Sequence, residues 1–380
     1  ASLKGRSNYL CVLRHEEFMA DAASRFSQDI VGRFEIWAEE TPDGDLAEFP
    51  ETLPFDYLVR VGECLGPVCP HRDECAYRDS RALADRAKIL IVNHALLAYD
   101  LATGGGKILG EYDALIIDEA HLAPKFFRDA WTYRLNVKQP EQIAALYSRA
   151  DVSLPSGEKL VPPQRIGWAY QELFNVLGER PLGRFSNDAI TLRLLNDLHV
   201  LLQAERKQLG KLGVNTGATG EEENPPPSNP NVPPRALAKL KAAATILDGA
   251  LNLLVKTLGL DEKTGPEFDP ETGAQLPPRP KATYIQYTER SGYDKPPELI
   301  SAPVEVGPLV APALLHINRV VVTSATLATG TSFDYSAREY GLHPAQLTRV
   351  LQVESPFDFK NRTALYISKT APMLDGSATA

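Results

Sequence analysis

The stretch Ala114-Leu115-Ile116-Ile117-Asp118-Glu119-Ala120-His121 closes an apolar run with two adjacent carboxylates and an imidazole. Mg2+ on a nucleoside triphosphate takes hard oxygen ligands, and hydrolysis needs a group that orients water. Asp118 suits the metal, Glu119 suits the attacking water, and His121 can couple the site to a neighbouring domain. A second run, "INRVVVTSATL" at 317–327, ends in the hydroxyls Ser324 and Thr326 within a small-residue turn. Such a turn by itself needs no role beyond geometry. Beside an acidic pair, its hydroxyls can relay contacts from the carboxylates to a partner surface.

The four cysteines, Cys11, Cys64, Cys69 and Cys75, make a second constellation. They crowd into the first fifth of the chain, which scattered core cysteines would not do. A disulfide framework does not suit a large chain without secretory features. The gaps, one isolated cysteine and then Cys-x4-Cys-x5-Cys, are longer than the two short knuckles of a structural zinc site. They suit the larger cage of an iron–sulfur cluster. His15 and His71 could complete a zinc set, so spacing leaves both metals open.

These groups need elements to hold them. "AKILIVNHALL" at 87–97, "EYDALIIDEAH" at 111–121 and "INRVVVTSATL" share one form: a short aliphatic run that ends abruptly in polar residues. The form predicts strands of a parallel sheet buried on both faces, with ligands outside their carboxyl ends. Between the second and third runs the apolar spacing is helical, in 164–180, 192–202 and 236–255. Segments 213–234 and 261–280, rich in Pro, Gly and acidic residues, read as exposed loops. Deleting 213–234 is therefore expected to leave folding intact. Two decoys are set aside. "TGGGK" at 103–107 reads as a turn before a strand, and "PLGRF" at 181–185 lies inside the helical region.

The chain has 380 residues, 43% hydrophobic and 23% charged, which suits two or three domains with sizeable cores. Its net charge of −9 gives no bulk support for nucleic-acid binding, so any DNA path must be local. No apolar run is long enough to span a membrane. The beginning, "ASLKGRSNYLC", has no signal-peptide pattern, and the chain reads as part of a longer one.

In order, "LKGRSNYLC", the cysteine run, "VNHALL", "IIDEAH", "VVVTSATL" and "SPFDF" at 355–359 resemble the XPD/DinG family of superfamily 2 iron–sulfur DNA helicases, and most closely its bacterial DinG-type branch. The resemblance implies an α/β fold: a RecA-like parallel-sheet motor domain with an inserted iron–sulfur domain and a mainly helical arch. It implies a cluster domain over 1–75, motor domain 1 over 76–124 and 300–335, the arch over 125–299, and the start of motor domain 2 over 336–380.

Carried over by motif, Cys11, Cys64, Cys69 and Cys75 hold a 4Fe-4S cluster, and Asp118 and Glu119 form the Mg2+-ATP and water site. Ser324 and Thr326 couple hydrolysis to DNA movement. Arg6 is a supporting donor to the cluster or to DNA, and Asn93 and His94 fall in the same supporting or DNA-facing class. The implied activity is ATP-dependent 5′→3′ translocation on single-stranded DNA and unwinding of forked DNA, by a monomer in the bacterial cytoplasm. No phosphate-binding Gly-x-x-x-x-Gly-Lys-Ser/Thr loop occurs in the 380 residues. It is expected upstream, so this stretch alone is expected not to turn over ATP.

Tyr9, Tyr284 and Tyr287 are aromatic candidates for base stacking, with core packing as the plainer reading. Arg72, Arg78, Arg81, Arg86 and Lys88 could face phosphates. They alternate with Asp73, Glu74, Asp79 and Asp85, which equally makes a solvated mixed-charge face. The principal rival function is a non-motor metal-containing DNA-binding or redox module that retains a dead half-ATPase. A second rival, a zinc-bearing nucleic-acid modification enzyme, would need a catalytic His/Cys/Glu set, and the sequence shows none.

Overall fold

A computed structural model describes residues 1–25, 28–51, 64–153, 157, 159–161, 164–179, 185, 188–214, 232–260, 281–286, 298–342, 349–353 and 357–364. Arg184, Tyr287, Ser355, Pro356 and most of the two Pro- and Gly-rich segments lie outside these residues.

The motif-bearing runs do form strands, in two small parallel sheets among the described residues. β1 (Ser2–Leu3) pairs with β2 (Ile91–Val92), and between them come α1 (Val12–Arg25), α2 (Gln28–Glu40) and α3 (Ala76–Arg86). α4 (His94–Ala102) starts directly after β2 and ends at a turn organised by the buried Asp100. The Asp100 carboxylate accepts from the backbone N–H groups of Gly106, Ile108 and Leu109 and from the Tyr112 hydroxyl. The "TGGGK" stretch therefore wraps a buried carboxylate, as expected of a turn.

β3 (Ala114–Ile117) follows, then α5 (Ala123–Ala130), β4 (Tyr133–Asn136), α6 (Gln139–Ala150), α7 (Gln164–Gly178), α8 (Ala189–Lys211) and α9 (Pro234–Leu258). β5 (Lys281–Gln286), β6 (Glu298–Pro303), α10 (Gly307–Leu315), β7 (Arg319–Val322), α11 (Asp334–Glu339) and α12 (Phe359–Arg362) complete the order. β3 and β7 run parallel in the register Ala114↔Arg319 to Ile117↔Val322. Asp118 and Thr323 therefore leave the sheet side by side.

Burial on both faces does not hold. Ile91, Ile116 and Val321 are 68%, 70% and 53% exposed, whereas Ile117 is buried. Successive side chains point to opposite faces of a strand. Ile117 packs in one apolar cluster with residues of α4, α5 and α10, and its neighbour Ile116 turns the other way. The runs are thus continuous in hydrophobicity but alternating in exposure.

The three helical readings correspond to α7, α8 and α9. Leu195, Leu198 and Leu202 of α8 and Leu237, Leu240, Leu247 and Leu254 of α9 are buried in one large core. The region 125–299 also contains strand structure that its helical spacing did not signal. β4 and β5 both pair antiparallel with β6, in the order β4-β6-β5. β6 runs across the expected boundary at 299/300, so that boundary cuts a strand.

The expected tolerance of a 213–234 deletion also needs correcting. Val214 and Val232 are buried in the same core, and Pro234 opens α9. Removing them would strip apolar contacts along with the loop.

That large core reaches into the cysteine-bearing region. Leu13 and Leu65 belong to it, and Cys11, Val68 and Cys69 pack against it. Ion pairs reinforce the junction. Arg235 of α9 donates to Glu16 at 2.8 Å, and Lys239 donates to Glu17 at 2.7 Å.

Candidate functional site

The site begins at the end of β3. Glu119 takes φ 45°, a left-handed backbone that costs a residue with a side chain about 1–3 kcal/mol. The turn is stitched in place on several sides. Glu119 N–H donates to its neighbour's Asp118 Oδ1 at 2.9 Å. Ala120 N–H donates to the Thr323 carbonyl at 3.0 Å, Thr323 N–H to the Ile117 carbonyl at 2.9 Å, and Leu122 N–H to the Glu119 carbonyl at 2.9 Å. The two polar turns thus extend the β3–β7 ladder past the strand ends.

This stitching brings three predicted side chains together. His121 Nδ1 lies 2.7 Å from Ser324 Oγ, and Ser324 Oγ–H donates to Glu119 Oε2 over 3.4 Å. His121 Nδ1 is itself 3.4 Å from Glu119 Oε2. With the proton on Nδ1, imidazole, hydroxyl and carboxylate form a directed chain. The Glu119 carboxylate then accepts a hydrogen bond from the Ser324 turn. Asp118 and Glu119 are both exposed at this edge, which suits contact with a bound ligand. Thr326 is exposed, and its backbone N–H reaches Ser324 Oγ at 3.4 Å.

Asn93 and His94 serve this edge from behind β2. The Asn93 carboxamide oxygen accepts from Leu96 N–H at 2.8 Å and caps α4. With α4 begun there, His94 Nε2 reaches the Asp118 carbonyl at 2.8 Å and its ring lies against Phe126. The ring donates, because a carbonyl only accepts. No motif signalled a further contact: Tyr340, at the end of α11, donates its hydroxyl to the Ala120 carbonyl at 2.7 Å. A tyrosine 220 positions downstream carries no local sequence signal for that role.

The cysteines gather elsewhere. All four are free and half-buried. Burial pushes the Cys11 thiol up to about 12, and the nearby Cys64, Cys69 and Cys75 push it the same way. Burial also raises Cys69, with Cys64 and Cys75 adding to it. Among the described residues no three His, Cys, Asp or Glu side chains are disposed to hold a metal ion. In donor type alone, four half-buried thiols that form no disulfide suit a thiolate-held metal, although the described side chains are not drawn together around one.

Arg6 stands beside them, its guanidinium 5.1 Å from the centre of the Tyr77 ring. Burial works against its charge, but Cys64, Tyr77 and Cys75 outweigh burial and raise its pKa.

The nucleic-acid candidates divide. Tyr9 is buried, its hydroxyl accepting from Lys4 N–H, so it is a core residue rather than a stacking platform. Tyr284 is half-buried on β5. Arg78 pairs with Asp73, and Arg81 with Asp85, which makes that surface a mixed-charge face.

No family model matches the sequence. Curated relatives do. The ATP-dependent DNA helicase DinG of Photobacterium profundum is 28% identical over 358 residues, 86% of this chain and 48% of the relative. The ATP-dependent helicase DinG of Mycobacterium tuberculosis is 28% identical over 409 aligned positions that take in 100% of this chain and 55% of the relative. The ATP-dependent DNA helicase YoaA of Escherichia coli is 32% identical over 151 residues, 37% of this chain and 23% of the relative. The chain thus spans about half the length of the two DinG relatives. By these relationships the chain is similar to the DinG and YoaA helicases, along its whole length in the case of the mycobacterial relative.

Proposed function

We propose that the protein containing this chain is an ATP-dependent DNA helicase, in which ATP closes two RecA-like motor domains and hydrolysis lets them open. The observation that carries this reading is the meeting of Glu119, His121 and Ser324 at the ends of two paired parallel strands. Asp118 would take the Mg2+ of ATP and Glu119 would orient the attacking water. Ser324, with Thr326 beyond it, would pass the change at Glu119 to the DNA-bearing surface. Asn93 and His94 support the acidic turn in this scheme rather than contact DNA.

The reading extends to 5′→3′ movement along single-stranded DNA and to splitting of forked DNA, by a monomer in the bacterial cytoplasm. Residues 1–75 would form a cluster domain, 76–124 and 300–335 motor domain 1, 125–299 the arch, and 336–380 the start of motor domain 2. Cys11, Cys64, Cys69 and Cys75 would hold a 4Fe-4S cluster, with Arg6 supporting it by charge. Bound there, the cluster would cross-link segments distant in sequence. The non-motor rival is disfavoured by the acidic turn, since a retired site has no use for a strained Glu119 held by so many hydrogen bonds.

The test is DNA-stimulated ATP turnover and unwinding by the full-length protein on forks with 5′ or 3′ tails. Turnover with unwinding from the 5′ tail supports the reading. DNA binding without ATP turnover would favour the non-motor module. The 380 residues alone, which contain no phosphate-binding loop, are expected to show no turnover.

A further inference from the structure

We propose that Tyr340 is a positioning residue for ATP hydrolysis, acting through the backbone of the acidic turn. The inference rests on the ATPase reading above and deepens it. Glu119 occupies a left-handed backbone, and such strain persists only where the surroundings over-determine it. The carbonyls of the residues before and after Glu119 are both held from outside the turn. Asp118 C=O accepts from His94 Nε2, and Ala120 C=O accepts from Tyr340 Oη–H. With both carbonyls fixed, the peptide plane entering Glu119 and the one entering His121 cannot rotate freely, and the Glu119 carboxylate stays beside Ser324 and His121.

The way Tyr340 is seated supports the assignment. Its ring is buried, edge-on to Phe127 of α5 with centroids 5.7 Å apart. Burial raises the phenol's pKa, with Glu339 adding to the shift, so the hydroxyl remains a donor throughout the working pH range. The next residue, Gly341, has φ 65° and lies against Gly307 at the start of α10. A Cβ on Gly341 would fall 2.1 Å from the Gly307 carbonyl oxygen. This backbone contact fixes the end of α11 and hence where Tyr340 enters the core. The "TSATL" turn and α11 belong to one stretch of chain, so movement of that stretch reaches Glu119 twice, through Ser324 and through Tyr340.

The experiment compares Tyr340→Phe with Glu119→Gln in the full-length protein, measuring ATP turnover on saturating single-stranded DNA and thermal unfolding. Tyr340→Phe keeps the ring and deletes only the donor. The expected result is a kcat lowered about tenfold, because a small displacement of a reacting group is costly. KM for ATP should stay at the wild-type value, and the unfolding midpoint should fall only by the amount of one lost buried hydrogen bond. An unchanged kcat, or a loss carried in KM for ATP rather than in kcat, would overturn the proposal by making the hydroxyl merely structural. Glu119→Gln separates the two readings. If it leaves turnover intact, the acidic site itself has been misread; if it abolishes turnover while Tyr340→Phe does nothing, only the positioning role fails.

Discussion

Lys239 and Glu17 lie 222 positions apart in the chain, and the Lys239 ammonium donates to the Glu17 carboxylate at 2.7 Å. Lys239 is only 7% exposed, and Glu17 also pairs with Arg14 at 2.9 Å. The contact ties α9 to α1, the helix that begins directly after Cys11. Burial opposes the Glu17 charge, but Lys239 and Arg14 outweigh it and lower its pKa.

Breaking this pair should be expensive. Lys239→Ala leaves the Glu17 carboxylate with Arg14 alone and is expected to cost about 2 kcal/mol, the size of a lost hydrogen bond to a charged group. The neighbouring Arg235→Ala loses a pair in which Arg235 is 56% and Glu16 40% exposed, and should cost less than about 1 kcal/mol. Urea unfolding of the two variants measures the difference. Equal, small effects would mean that the buried pair is not a structural link.

A second buried carboxylate should respond oppositely to pH. Glu205 of α8 is 2% exposed and accepts from the Tyr147 hydroxyl at 2.7 Å. Burial raises its pKa from 4.5, and the Tyr147 hydrogen bond only partly offsets this. A raised folded pKa means the folded state binds the proton more tightly. The stabilisation is therefore complete below pH 4.5 and is lost as pH rises through the folded value. Glu205→Gln should flatten that part of the stability–pH curve and raise stability at neutral pH. Midpoints measured from pH 4 to pH 8 on the variant and wild type check it.

The thiolate site is tested by metal content. After anaerobic purification, this chain should carry about four irons with matching sulfide and a broad brown absorbance. Cys69→Ser should lose both iron and colour. A colourless preparation with about one zinc would instead favour a tetrahedral structural site.

Coupling through the hydroxyl turn predicts a divided phenotype. In the full-length protein, Ser324→Ala removes the group between His121 and Glu119 but leaves both carboxylates in place. Unwinding should fall more than ATP turnover does, by about tenfold in their ratio, the size of a 1.4 kcal/mol effect. Paired measurements of both rates on one forked substrate decide it, and an equal fall in both would place Ser324 in hydrolysis rather than in coupling.

What the sequence determined by itself is largely local. Aliphatic runs ending in Asp118-Glu119 and Thr323-Ser324 announced strands with polar ends, and leucine spacing announced α8 and α9. Cysteine crowding suggested a donor set, which the described side chains do not show gathered for a metal. These signals are legible because residues adjacent along one element share its physics. Tertiary structure alone decided the rest. The register Ala114↔Arg319 brings two distant turns together, and only then can His121 meet Ser324. Asn93 became a helix cap and His94 a donor to the Asp118 carbonyl, although the same pair in sequence equally suited a DNA-facing role. The sheet β4-β6-β5 escaped notice because no polar motif marks its strands and β4 meets β6 only across the fold. Tyr340 is the clearest case. One hydroxyl reaches a backbone carbonyl across the fold, and a hydrogen bond between such distant positions leaves no periodicity in the chain that makes it.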